Sequence, residues 1–159
     1  MTVELAMLQS NVEATRQRID KLAYSLGRIK SLFLLTIQTM MQLGDDQQES
    51  IDALILRYSQ SVSMIQDQLF RGIAYIEQES LSDKSNRDKA LLMEKLGAIR
   101  SADEFGSAAL LRNKFAHHYP EDIERRIERL NLVVHKPEYV IKMFCEIVAY
   151  LERKGFISS

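Results

Sequence analysis

The stretch LAMLQSNVEATRQRIDKLAYSLGRIKSLF, residues 5–33, decides the fold. Leu5, Leu8, Val12, Ile19, Leu22, Leu26, Ile29 and Phe33 advance in alternating steps of three and four, with Thr15 as the one polar break. Such spacing keeps one face of an α-helix apolar and does not fit the period of a strand. No proline interrupts it, and Gly27 is the only weak point before Gly44. The pattern predicts a long N-terminal helical region over residues 1–43, either one rod or a helix pair. A rod of roughly 40 residues would be about 60 Å long at 1.5 Å per residue. That exceeds the width of a domain this size. The stripe is therefore either a core face of a bundle or a seam covered by a partner or a second copy.

The rest of the chain continues the helical period. Gly44 to Ser50 is polar and reads as a connection, its acidic residues leading into the next helix. Leu54, Tyr58, Val62, Ile65, Leu69, Ile73 and Ile76 then predict a helix from about Ile51 to Ile76. Ser80 to Asp88 is a second polar break. A short helix follows, with Ala90, Leu91, Leu92, Leu96 and Ile99 as its apolar positions and Gly97 near its end. Ser101 with Glu104 three residues on has the capping-box pattern. The helix it opens carries Leu110, Leu111 and Phe115 and stops near Tyr119, because Pro120 disfavours helical geometry in the residue before it. Pro120 to Leu130 is able to restart as a short charged helix. Leu130 to His135 is the one ambiguous apolar run. Pro137 starts a last helix that carries Val140, Ile141, Phe144, Ile147, Val148 and Leu151 and ends near Gly155. The expected fold is an all-α, up-and-down helical bundle, a single domain over residues 1–159 in which residues 51–155 complete the bundle.

Composition narrows the function. The 159 residues fit one domain, and 46% apolar with 27% charged residues is too apolar for a disordered chain. With six Gly and two Pro there are too few turn residues for a β-sandwich. A net charge of -1, from 21 basic and 22 acidic residues, excludes a globally basic nucleic-acid coat but not a local basic patch. The single cysteine, Cys145, excludes an internal disulfide framework and a Cys-rich zinc site, and its place in the apolar run Ile141–Leu151 predicts a buried, inert thiol. No run is long and apolar enough for a membrane span, and no signal core follows Met1, so a reducing cytoplasm is expected. No cofactor motif is present: there is no P-loop, no GxGxxG, no HExxH and no GxSxG. Asp45-Asp46 is the one pair suited to a cation, and it reads as solvated loop. His135 is isolated.

One stretch gathers polar chemistry: Leu111-Arg112-Asn113-Lys114-Phe115-Ala116-His117-His118-Tyr119-Pro120. Asn113 and His117 are four apart and share a helix face. Arg112 lies about 140° around from His117 at 100° per residue, within the swing of a long side chain near a helix end. Histidine moves protons near neutral pH, and the arginine fork holds a phosphate. The trio suits phosphodiester chemistry: activation of a ribose 2′-hydroxyl, a grip on the phosphate and protonation of a leaving oxygen, with no metal. Adjacent histidines at a helix C-terminus also cap carbonyls. Lys114, Arg100, Arg125, Arg126 and Arg129 surround the stretch and make Lys114, Arg125 and Arg126 candidate RNA contacts. Glu121, Asp122, Glu124 and Glu128 alternate with them, as on a solvated, ion-paired helix surface.

Residues 112–119 resemble the R-x4-H-x-Y motif of the HEPN superfamily in its HepT-like branch, matching at Arg112, Asn113, His117 and Tyr119. The resemblance spans roughly residues 10–155, with the motif as its specific part. It implies a HEPN-like bundle with the motif ending its fourth helix. It implies a homodimer whose two motif helices form one cleft. It further implies a metal-independent endoribonuclease toxin of a type VII-like toxin–antitoxin pair. Arg112 and His117 would be the catalytic pair and Asn113 would orient or polarise. A minimal nucleotidyltransferase antitoxin would silence the toxin by transferring AMP to Tyr119. The long N-terminal region, His118 in the variable position and the charged insert at residues 121–131 depart from the compact family pattern. Two other functions stay open: a non-catalytic helical subunit of a nucleotidyltransferase, and a helical adaptor working through its N-terminal heptads.

Overall fold

The computed structural model describes residues 2–116 and 122–158. Thr2 caps the first helix, α1 (Val3–Ile29), by accepting from the Leu5 N–H at 3.1 Å. At 27 residues α1 is about 40 Å long. Its stripe is buried inside the chain's own bundle: Leu8, Val12, Ile19, Leu22, Leu26 and Ile29 are all core residues. Thr15 is buried with them and satisfies its hydroxyl on the Asn11 carbonyl at 2.7 Å. The core reading of the stripe therefore holds, and the exposed-seam reading does not.

The rod also ends earlier than its stripe. A 3₁₀ turn, Lys30–Leu32, follows Ile29, and the chain then runs extended to a short α2 (Ile37–Met41). Gly27 is not the breaking point. Thr36 and Thr39 cap α2 reciprocally, each hydroxyl accepting from the other's backbone N–H, at 3.1 and 2.8 Å. The extended part is held from afar. Asn131 accepts from the Leu35 N–H at 2.8 Å and donates to the Leu35 carbonyl at 3.0 Å, the two bonds a neighbouring strand would make.

The second long helix, α3 (Asp45–Met64), starts six residues before the expected Ile51. Gly44 precedes it, and Gln47 accepts from the Gly44 N–H at 3.0 Å. Asp45 and Asp46 are thus the first turn of a helix, where acidic side chains favour the dipole, and not loop. One π turn, Ile65–Leu69, leads directly into α4 (Phe70–Ile76). Ser85 caps α5 (Asn86–Leu96), which Gly97 ends at φ 89°, the left-handed conformation that favours glycine. At the start of α6 (Ala102–Ala116), Ser101 accepts from the Glu104 N–H at 3.1 Å, the serine half of the capping box, and Glu94 adds an acceptor for the Ala102 N–H at 2.7 Å. Asp122 caps α7 (Ile123–Val133), which absorbs most of the run read as ambiguous. The last helix, α8 (Lys136–Arg153), has Pro137 in its first turn and Gly155 at φ 73° just past its end.

These helices form an all-α, up-and-down bundle, with no strand among the described residues. α1 packs along α3, and α8 and α4 also close on α1. Tyr58, Phe70, Phe105 and Tyr150 are the largest fully buried side chains, with the Phe70 and Phe105 rings 4.8 Å apart between centroids. No described helix is long and apolar enough to cross a membrane. Cys145 is exposed, against expectation. Phe144 and Ile147 face the core, and Cys145 lies about 100° around from Phe144, so an apolar run on a helix does not bury every member.

Tyr58 ties α3 to the site-bearing helix, donating from its buried hydroxyl to the Ala108 carbonyl at 2.6 Å. Replacing it by Phe is expected to cost about 1 kcal/mol, read as a lower urea midpoint with an unchanged slope.

Candidate functional site

The last two turns of α6 carry the first two motif residues, Arg112 and Asn113. Arg112 is half-buried and Asn113 exposed. The Arg112 guanidinium is fixed from two sides. Its Nη1 donates to Ser63 Oγ at 3.2 Å, and its Nε and Nη2 donate to Asn113 Oδ1 at 3.3 and 3.2 Å. Ser63 sits in the last turn of α3, immediately before the π turn. So the arginine is anchored by one residue of a neighbouring helix and oriented by its own chain neighbour. The bifurcated bond to Asn113 occupies the Nε–Nη2 edge, the edge that grips a phosphate or carboxylate through two parallel bonds. An anionic ligand would take the place of the Asn113 carbonyl there.

Tyr58 lies beneath this region. Burial pushes its phenol well above the ordinary value, and the positive charge of Arg112 pulls against that shift. Arg112 also lines a groove of about 210 Å³ between the π turn, α5 and α6, together with Gln66, Asn86, Arg87, Phe105 and Asn113. Arg87, at the start of α5, pairs with Asp103 at 3.2 Å on the surface.

The other expected contacts lie on α6 and α7. Lys114 is exposed, and its carbonyl accepts from Arg129 Nη1 at 3.4 Å, a bond that joins α6 to α7. Arg125 is exposed on α7 and Arg126 half-buried, with Glu124 and Glu128 exposed beside them. The interleaved acids make this a mixed surface and not a uniform basic patch. His117, His118, Tyr119, Pro120 and Glu121 lie outside the described residues. Among the described residues no three of His, Cys, Asp and Glu stand together in a group able to hold a metal ion. His135 is exposed.

Two residues at the site carry no motif: Ser63 anchors Arg112, and Gln66 lines the groove beside it. Ser63 and Gln66 come from α3 and the π turn, far from residue 112 in sequence. Their only sequence signal is polarity beside an apolar stripe. Compared with protein-family models, with curated proteins and with solved structures, the chain matches none.

Proposed function

We propose that this chain is a metal-independent endoribonuclease of HEPN type, the toxin of a type VII-like toxin–antitoxin pair, acting as a cytoplasmic homodimer. The observation that carries the reading is the setting of Arg112: a half-buried guanidinium anchored by Ser63 and Asn113 at the edge of a groove, five residues before His117. A fixed cation with little to reorganise is what a charged transition state requires.

In this reading Arg112 holds a non-bridging oxygen of the scissile phosphate. Asn113 keeps the guanidinium oriented before substrate arrives. The His117 imidazole removes the proton of the ribose 2′-hydroxyl, whose oxygen attacks phosphorus. The P–O5′ bond breaks, and a protonated imidazole from the second copy's His117 protonates the departing 5′-oxygen. The products are a 2′,3′-cyclic phosphate and a 5′-hydroxyl. Leu110, 58% exposed on α6 one turn before Asn113, supplies an apolar contact for the second copy. AMP transferred to Tyr119 by a minimal nucleotidyltransferase antitoxin would add bulk and negative charge two residues from His117 and repel an RNA phosphate.

The test is total RNA incubated in EDTA with wild-type protein or with His117→Ala of verified fold. Cleavage by the wild type alone is expected. Equal cleavage by both would overturn the assignment of His117.

A further inference from the structure

Gln66 is 6% exposed, and its placement is unusual for so polar a side chain. Its Nε2 donates to Asp67 Oδ1 at 3.4 Å, while its buried Oε1 accepts from no described residue. The π turn that carries it, Ile65–Leu69, interrupts an otherwise regular helix, and such interruptions recur at functional sites. An unmade bond at a buried acceptor is a standing cost that a ligand able to donate would relieve.

The groove beside Gln66 has the mixed apolar and polar lining that a flat ring with a polar edge requires. Its floor is apolar and buried, formed by Ala90, Ala102 and Phe105. Gly106 lines it too, and a Cβ built there meets nothing within 4 Å, so a side chain has open space to enter. Arg112 and Asn113 also line it. A nucleotide presents the same sequence of features: an apolar ring face, a polar ring edge and an adjoining phosphate. The terminal torsion of a glutamine is broad, so Oε1 turns into the groove without leaving a favoured rotamer. The turn gives up only the long 3.4 Å bond to Asp67, and the atom left without a partner is the oxygen, so the group offered to the ring edge is an acceptor. It matches the exocyclic amine of adenine, cytosine or guanine. Uracil has no such amine, and its one ring N–H is flanked by two carbonyls.

We infer that the groove between the π turn, α5 and α6 seats the base next to the phosphate held by Arg112, and that Gln66 makes the site prefer amine-bearing bases over uracil. The inference rests on the endoribonuclease reading for the phosphate, and its test separates the two.

RNA cut in EDTA is sequenced at its new ends, with wild type, Gln66→Leu and Gly106→Leu, each checked for fold by thermal melting. Wild-type cuts are expected to disfavour uracil at one position beside the scissile bond by about 5–10-fold, the worth of one hydrogen bond. Gln66→Leu is expected to flatten that bias. Gly106→Leu fills the groove and is expected to lower cleavage roughly 10-fold or more at every site. An absent bias, or one unchanged in Gln66→Leu, overturns the inference and leaves the endoribonuclease standing. If the wild type cuts nothing, the endoribonuclease reading fails and calorimetry with AMP, CMP, GMP and UMP decides the groove alone. Weaker binding of UMP, with the difference lost in Gln66→Leu, upholds the base seat, and equal or no binding overturns it.

Discussion

Arg112→Ala lowers RNA cleavage by about 10²–10³-fold, the usual loss when one fixed donor to a developing charge is removed. The expectation follows from the guanidinium's setting between Ser63 and Asn113, which holds the charge in place before a phosphate arrives. Arg112→Lys recovers part of the loss, because it keeps the charge and discards the planar fork. Neither change unfolds the protein. The bonds Arg112 makes are exposed or half-buried, each worth about 1 kcal/mol. A thermal melt within a few degrees of wild type, beside the lost activity, separates this from global damage. An Arg112→Ala protein that cuts RNA at the wild-type rate would remove Arg112 from the chemistry.

Asn131→Ala has the largest expected effect on stability away from the large core side chains. It strips both backbone partners from Leu35, a residue 3% exposed, and removes the tie between the α1–α2 connection and α7. Unmade backbone bonds at partly buried groups cost about 1–3 kcal/mol each, and partial access to water keeps the sum near 2–3 kcal/mol. For a chain of this length that is a fall in Tm of about 5–10 °C. Asn131→Asp keeps the acceptor for the Leu35 N–H and loses the donor to its carbonyl, so it falls between. Differential scanning calorimetry on the three proteins reads the order directly. An Asn131→Ala protein as stable as wild type would show that the α1–α2 connection holds without it.

This pair of bonds also shows where the sequence stops being legible. The apolar stripe of α1 continues in register to Phe33, yet the helix ends at Ile29. Periodicity reports a face. It cannot report that Asn131, 96 residues away, supplies the Leu35 backbone with partners that favour an extended chain. Asp45 to Ser50 was obscure for the opposite reason: two turns of solvated helix carry no apolar residue to mark their period, although Gly44 and the acidic first turn are start signals. Cys145 followed from composition where phase decides. The ends set by local chemistry read correctly: Gly97 and Gly155 in left-handed conformations, Ser101 at the α6 start and Pro137 at the α8 start.

The site divides along the same line. Arg112 and Asn113 were visible in the motif as residues, but their bond to one another was not: the helical spacing pointed both toward His117. Ser63 and Gln66 reach the same region through the packing of α3 and the π turn against α6, which no local pattern encodes. Lys114, Arg125 and Arg126 share their surface with the exposed Glu124 and Glu128, the alternation the sequence already carried, and Arg129 donates to the α6 backbone.

The central claim is that Arg112 and His117 cut RNA by driving its own 2′-hydroxyl onto the phosphate. The most direct measurement is the chemistry of the ends left when the wild-type protein cuts a defined RNA oligonucleotide in EDTA. A 2′,3′-cyclic phosphate on one fragment and a 5′-hydroxyl on the other are the predicted result. A 3′-hydroxyl with a 5′-phosphate, or an uncut oligonucleotide carrying every sequence context, would contradict it.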